Sequence, residues 1–182
     1  MITALVGAVV LGALSTFYDF IWAHFSVRHT ALHGLVHGMT LLSAVGLVLA
    51  WRPRRPGAGL AGGAAVGLVS AASFYAFFPV LGYLGGIIAA WVVMWLLFAG
   101  LEAWLRAGQV LDPTVAARGA AAAALSGVAF YLVSGMWTDH SAPPDYLRHF
   151  ASWTFAFFPG FAALLWRRTG TYVGSGAAAR PN

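Results

Sequence analysis

The stretch Phe17–Gly38, FYDFIWAHFSVRHTALHGLVHG, decides how the rest of the chain is read. Apolar segments flank a polar break near Ser26, which predicts two helices joined by a turn. The stretch holds four of the six histidines and one of the five acids in the chain. His29, His33 and His37 recur at every fourth residue, a spacing that lines them along one face of a helix. Asp19 lies as far before Ser26 as His33 lies after it. In a helical hairpin the two side chains would share one depth and meet. An ionisable pair inside a membrane span is a functional-site hypothesis by default.

The surrounding composition sets that hairpin in a membrane. The chain has 182 residues, 60% of them hydrophobic and 8% charged, against about a quarter charged in soluble domains. Apolar runs of about 20 residues, enough for a hydrocarbon core of roughly 30 Å, recur along the whole length. Six spans are expected, at 2–24, 29–51, 59–82, 85–106, 114–137 and 147–167. The expected fold is an all-α integral membrane protein with a single six-helix domain over residues 1–169. Residues 170–182, rich in Gly, Ala and Ser, read as a disordered cytoplasmic tail. The N-terminal apolar run has no basic segment before it and continues to Trp22, so it reads as a retained first helix rather than a secretory signal.

All ten basic residues are arginine, and there is no cysteine. Without lysine there is no retinal Schiff base, and without cysteine there are no disulfides, Cys-based zinc sites or iron–sulfur ligation. The net charge of +5 does not imply a nucleic-acid partner, because the arginines form no stripe with interleaved aromatics. They read as topology signals. With six spans, Arg52, Arg54, Arg55, Arg106, Arg118, Arg167, Arg168 and Arg180 fall on the side of both termini, and Arg28 and Arg148 on the other. The positive-inside rule then places both termini in the cytoplasm and the histidines toward the periplasm or exterior of the cell (inner) membrane.

Local signals mark the joints. Trp51-Arg52-Pro53-Arg54-Arg55-Pro56 cannot remain in lipid or stay helical, so it ends the second span. Asp112-Pro113 and Pro143-Pro144-Asp145 have the residues of helix starts. Phe17-Tyr18, Phe74-Tyr75 and Phe130-Tyr131 recur at nearly equal intervals, which suggests three helical hairpins of about 56 residues. Glu102 and Arg106, four apart, predict an ordinary ion pair on the arginine-rich side.

His37 falls roughly 12 Å below the start of its helix at ~1.5 Å per residue, too deep for an imidazole to reach water. Ser15 and Thr16 lie opposite it in the expected hairpin as hydrogen-bond partners. Neutral imidazoles four apart on one helix, completed by a facing carboxylate, suit a divalent metal, and N and O donors favour zinc or iron. The expected metal set is Asp19, His33 and His37, with His29, His140 or His149 as a further ligand or supporting group. A metal-activated water would attack a lipid-like ester or amide. His29 and His24 would be proton-transfer groups, and Tyr18 would polarise the substrate. Trp91, Trp95 and Trp153 are placed deep enough to line a cavity.

This chemistry resembles that of the seven-helix ceramidase and adiponectin-receptor hydrolases, which hold zinc with histidines and an aspartate. The resemblance implies hydrolysis of a lipid-like substrate. It covers the donor types alone, because this chain has six expected spans and its histidine run lies in the second. Other readings stay open: a metal-free proton or ligand site, a proton- or metal-coupled carrier or channel, and an accessory subunit holding a cofactor. Haem is the weaker cofactor reading, since His24, His33 and His37 all fall in one hairpin. Membrane lipid is the expected partner, and the Gly/Ala faces suit a homo-oligomer or a larger membrane complex.

Overall fold

The computed structural model describes residues 1–24, 30–107, 113–134 and 145–166. Helix boundaries fall where the sequence carries its stop and start signals. The elements are α1 (Ile2–His24), α2 (Thr30–Ala50), α3 (Pro56–Ala107), α4 (Pro113–Ser134) and α5 (Tyr146–Leu165). Pro56 and Pro113 each open a helix, where a missing N–H costs nothing. Asp145 caps α5 by accepting the Arg148 N–H at 3.1 Å. Between α2 and α3, Arg54 takes a left-handed φ of 56°, and the Arg55 N–H returns to the Ala50 carbonyl at 3.2 Å.

The chain is all-helical among the described residues, and four of its helices are long and apolar enough to cross a membrane. This character is consistent with a membrane location. Length and composition alone support four such helices among the described residues rather than the six spans expected from the sequence. The expected 59–82 and 85–106 segments belong to one 52-residue element, α3, and α5 falls outside the four apolar candidates. That element is interrupted at Gly82, whose φ of 69° and ψ of −177° fall in a region open essentially to glycine alone. Pro79, which removes a backbone hydrogen bond, sits just before it. The two arms of α3 fold back on each other there, with Gly86 against Phe74 and Gly62 against Leu101.

The expected three-hairpin repeat finds no support. A repeat would pack α1 mainly on α2, yet α1 lies chiefly along α5 and α2 along α3. α4 packs on both α5 and α3. The Phe-Tyr pairs occupy unlike settings: the Tyr18 ring stacks on His37, the Tyr75 hydroxyl rests over Gly34, and Tyr131 is half exposed. Glycine explains the partner choice. Gly46 faces Gly59 and Gly63, and Gly38 faces Gly67, so the α2 and α3 backbones touch. Such close approach maximises dispersion contacts between helices where lipid offers no hydrophobic drive. Gly12 gives α5 a similar approach to α1 beside Phe150 and Thr154.

At the centre, Trp95, Phe98, Phe157 and Phe161 are fully buried with Leu11, Leu49 and Leu164. Trp95 sits under Gly160 of α5, so it belongs to the core rather than to a cavity wall. Large apolar residues such as Phe17, Leu32, Val80 and Leu132 point outward. An apolar exterior of that extent fits lipid better than water.

Candidate functional site

The C-terminal end of α1, the N-terminal end of α2 and the N-terminal end of α5 meet at one end of the bundle. Because α1 packs on α5, Asp19 is turned toward α5 rather than toward His33. Its Oδ2 accepts from His149 Nδ1 at 2.9 Å and from Trp153 Nε1 at 2.7 Å. The Asp19 side chain keeps about a quarter of its surface exposed and His149 about two-fifths. A carboxylate on Nδ1 fixes the imidazole tautomer, and in the neutral ring the lone pair is then on Nε2. This is the arrangement of an oriented base.

His37 is held differently. The Tyr18 ring stacks on it, with centroids 4.1 Å apart and planes 15° from parallel. The Trp22 indole N–H donates to His37 Nδ1 at 3.4 Å. Nδ1 therefore carries the lone pair and Nε2 the hydrogen. That Nε2 is buried without a protein partner, as is Nε2 of His33. Trp22 also meets His33 edge-on at a centroid distance of 4.5 Å. Ser15 and Thr16 do not serve His37: the Ser15 hydroxyl is buried without a partner, and Thr16 donates to the Gly12 carbonyl.

The remaining predicted residues divide clearly. Tyr18 is present in the site, but Thr40 Oγ1 donates to the Val36 carbonyl and receives the tyrosine hydroxyl proton. Its ring packs on His37. His24 lies at the exposed rim, stacked on Phe20, with Nδ1 at 3.0 Å from the Phe20 carbonyl and 3.3 Å from the Tyr146 hydroxyl. Tyr146 in turn neighbours the His149 ring. His29 and His140 lie outside the described residues, as do Arg28, Asp139 and the 170–182 tail. Among the described residues, no group of three His, Asp or Glu side chains is placed to hold a metal ion. Asp19, His33 and His37 thus do not form the expected ligand set, since Asp19 is engaged by α5.

A cavity of about 300 Å³ opens beside His37, between α2, α3 and α5. Trp22, His37, Ser70, Trp91, Trp153 and Phe157 are among its lining. Trp91 and Trp153 lie parallel to within 6° at 6.3 Å, and Phe130 and Phe157 extend the stack. The volume is at the lower end of small-molecule sites, and the pattern of apolar walls with a few polar groups is typical of them.

The sequence reading placed Trp91 and Trp153 correctly at a cavity and named Asp19, His33, His37 and Tyr18. It offered His149 as a further metal ligand or supporting group rather than as the partner of Asp19, and it gave Trp22 no part in the site. Nothing in local spacing ties Asp19 to residues on a helix 130 positions later. Comparison with known protein families, with characterised proteins and with solved structures finds no match for this chain.

Proposed function

We propose that this protein binds a lipid-like amphiphile within the membrane, with an oxygen of the ligand accepting the hydrogen of His37 Nε2. The observation that carries the reading is that buried, partnerless Nε2 on a histidine that lines an aromatic cavity. A buried donor without an acceptor costs about 1–3 kcal/mol, which a carbonyl, ester or hydroxyl oxygen would relieve. The aromatic stack takes the apolar part of the ligand, and the Asp19–His149 pair supplies a base for proton transfer at the polar end. In this reading the chain crosses the membrane six times with both termini cytoplasmic. The reversal at Gly82, the length of α5 and the arginine distribution support it.

The test is organic extraction of protein purified in mild detergent, followed by mass spectrometry. An oxygen-bearing amphiphile enriched far above bulk lipid is expected, and it should be lost in His37→Ala and in the cavity-filling Ala90→Phe. Wild-type protein carrying only bulk lipid in bulk proportions would sink the reading.

Metal-dependent hydrolysis is the second reading, favoured by the partnerless Nε2 atoms of both His33 and His37 four residues apart. Plasma mass spectrometry decides it. Stoichiometric zinc or iron, lost in His33→Ala and in His37→Ala, would replace the first reading with this one.

A further inference from the structure

The opposite end of the bundle holds a second and larger cavity, of about 1280 Å³. Arg52 and Arg55 from the α2–α3 turn, Arg106 at the end of α3 and Arg118 near the start of α4 all line it. A single acid, Glu102, faces these four cations; it is 3% exposed and pairs with Arg106 and with Arg118. Arg118 Nη2 is nevertheless buried without a partner. Among the described residues, Arg52 and Arg55 have no acidic partner either. The cavity thus keeps a large surplus of positive charge around a guanidinium nitrogen that lacks an acceptor.

The rest of the lining is apolar. Leu49, Leu105, Phe158 and Leu165 form the wall, and the cavity runs along α4 from Thr114 to Leu125. That interval spans roughly 16 Å at the helical rise. Leu125 itself is half exposed on the outer face of the bundle. A ligand seated here would have its anionic group among the arginines and an apolar chain leading out along α4 into the bilayer.

We propose that this cavity is a binding site for an anionic phospholipid, with the phosphodiester held by Arg118, Arg52 and Arg55. Guanidinium groups hold phosphate oxygens in bidentate pairs, and basic pockets between membrane helices are suited to anionic headgroups. The apolar wall selects a lipid over a soluble phosphate. The site is separate from the histidine end and depends only on the chain lying in a membrane.

Native mass spectrometry of the detergent-purified full chain, titrated with phosphatidylglycerol or phosphatidylcholine, tests it. Phosphatidylglycerol should bind in clear preference, and the preference should shrink as salt is raised. Arg52→Gln with Arg55→Gln should weaken phosphatidylglycerol by about fivefold per arginine removed. Arg54→Gln, in the same turn but outside the cavity lining, should leave it unchanged, and thermal melting of each variant checks folding. Equal binding of the two lipids would overturn the proposal, as would equal weakening by Arg54→Gln. Displacement of phosphatidylglycerol by equimolar inorganic phosphate would also overturn it, by making the ligand a soluble anion.

Discussion

The two ends of this bundle each hold a carboxylate, and the two are treated in opposite ways. Glu102 is almost wholly enclosed and sits between two arginines, whose charge does not vary with pH or occupancy. Asp19 is partly open and is held by a histidine and an indole N–H, one of which can gain or lose a proton. The first arrangement fixes α3 to α4. The second fixes α1 to α5 through an imidazole that stays about two-fifths exposed. A carboxylate matched by permanent cations makes a fixed joint, and one matched by histidine makes a joint whose charge can change.

The largest expected effect comes from breaking the joint. Glu102→Ala leaves two arginines without their anion. Removing one partner of a buried pair costs about 3–5 kcal/mol, and the partial exposure of both arginines lowers this to about 2–3 kcal/mol. A denaturing-detergent titration measures it. Asp19→Asn, which still accepts from Trp153, should cost less than about 1 kcal/mol while the bound amphiphile is depleted. A reversal of that order would mean that Asp19 is the structural acid.

The glycine seam between α2 and α3 offers the next contrast. A methyl group at Gly46 would overlap the Gly59 carbonyl and crowd Gly63, both backbone, whereas one at Gly34 would meet only the Tyr75 hydroxyl. Overpacking against backbone costs about 1–3 kcal/mol, so Gly46→Ala should lower the unfolding free energy by roughly 2 kcal/mol. Gly34→Ala should cost under about 1 kcal/mol, because its contacts are with side-chain rather than backbone atoms. Gly34 lines the cavity, so its variant should reduce ligand retention despite the smaller stability loss. Equal losses at both positions would show that the seam is equally tight at its two ends.

These contrasts also explain what could be read from the sequence. The helix ends at Arg52–Pro56, Pro113 and Asp145 are local chemistry, and the structure places them as the residues require. The hairpin idea failed where it needed long-range information. Adjacent segments were expected to pack together, but small residues decide packing here, and the glycines of α2 face α3 while Gly12 faces α5. That choice turned Asp19 away from His33 and toward His149. The Glu102–Arg106 pair was legible from spacing, whereas Arg118 was not, since it arrives from another helix. Trp22 carried no signal in the sequence as the residue whose N–H reaches His37 Nδ1.

The smallest expected effect on stability is the most informative about chemistry. Trp22→Phe removes the N–H that reaches His37 Nδ1 and keeps most of the apolar contact. At 3.4 Å that bond is long, so the loss should be no more than about 0.5 kcal/mol in the same titration. Its consequence for the ring is larger. While Trp22 donates to Nδ1, Nε2 must carry the hydrogen and can serve only a ligand acceptor; a metal on Nε2 would place a hydrogen on Nδ1 facing another donor. Without Trp22 either tautomer is allowed. Amphiphile retention should therefore fall in Trp22→Phe, while zinc uptake by the same protein should stay flat or rise. If zinc binds the wild type stoichiometrically and Trp22→Phe weakens it, the tautomer assigned to His37 is wrong, and the histidine end works with a metal after all.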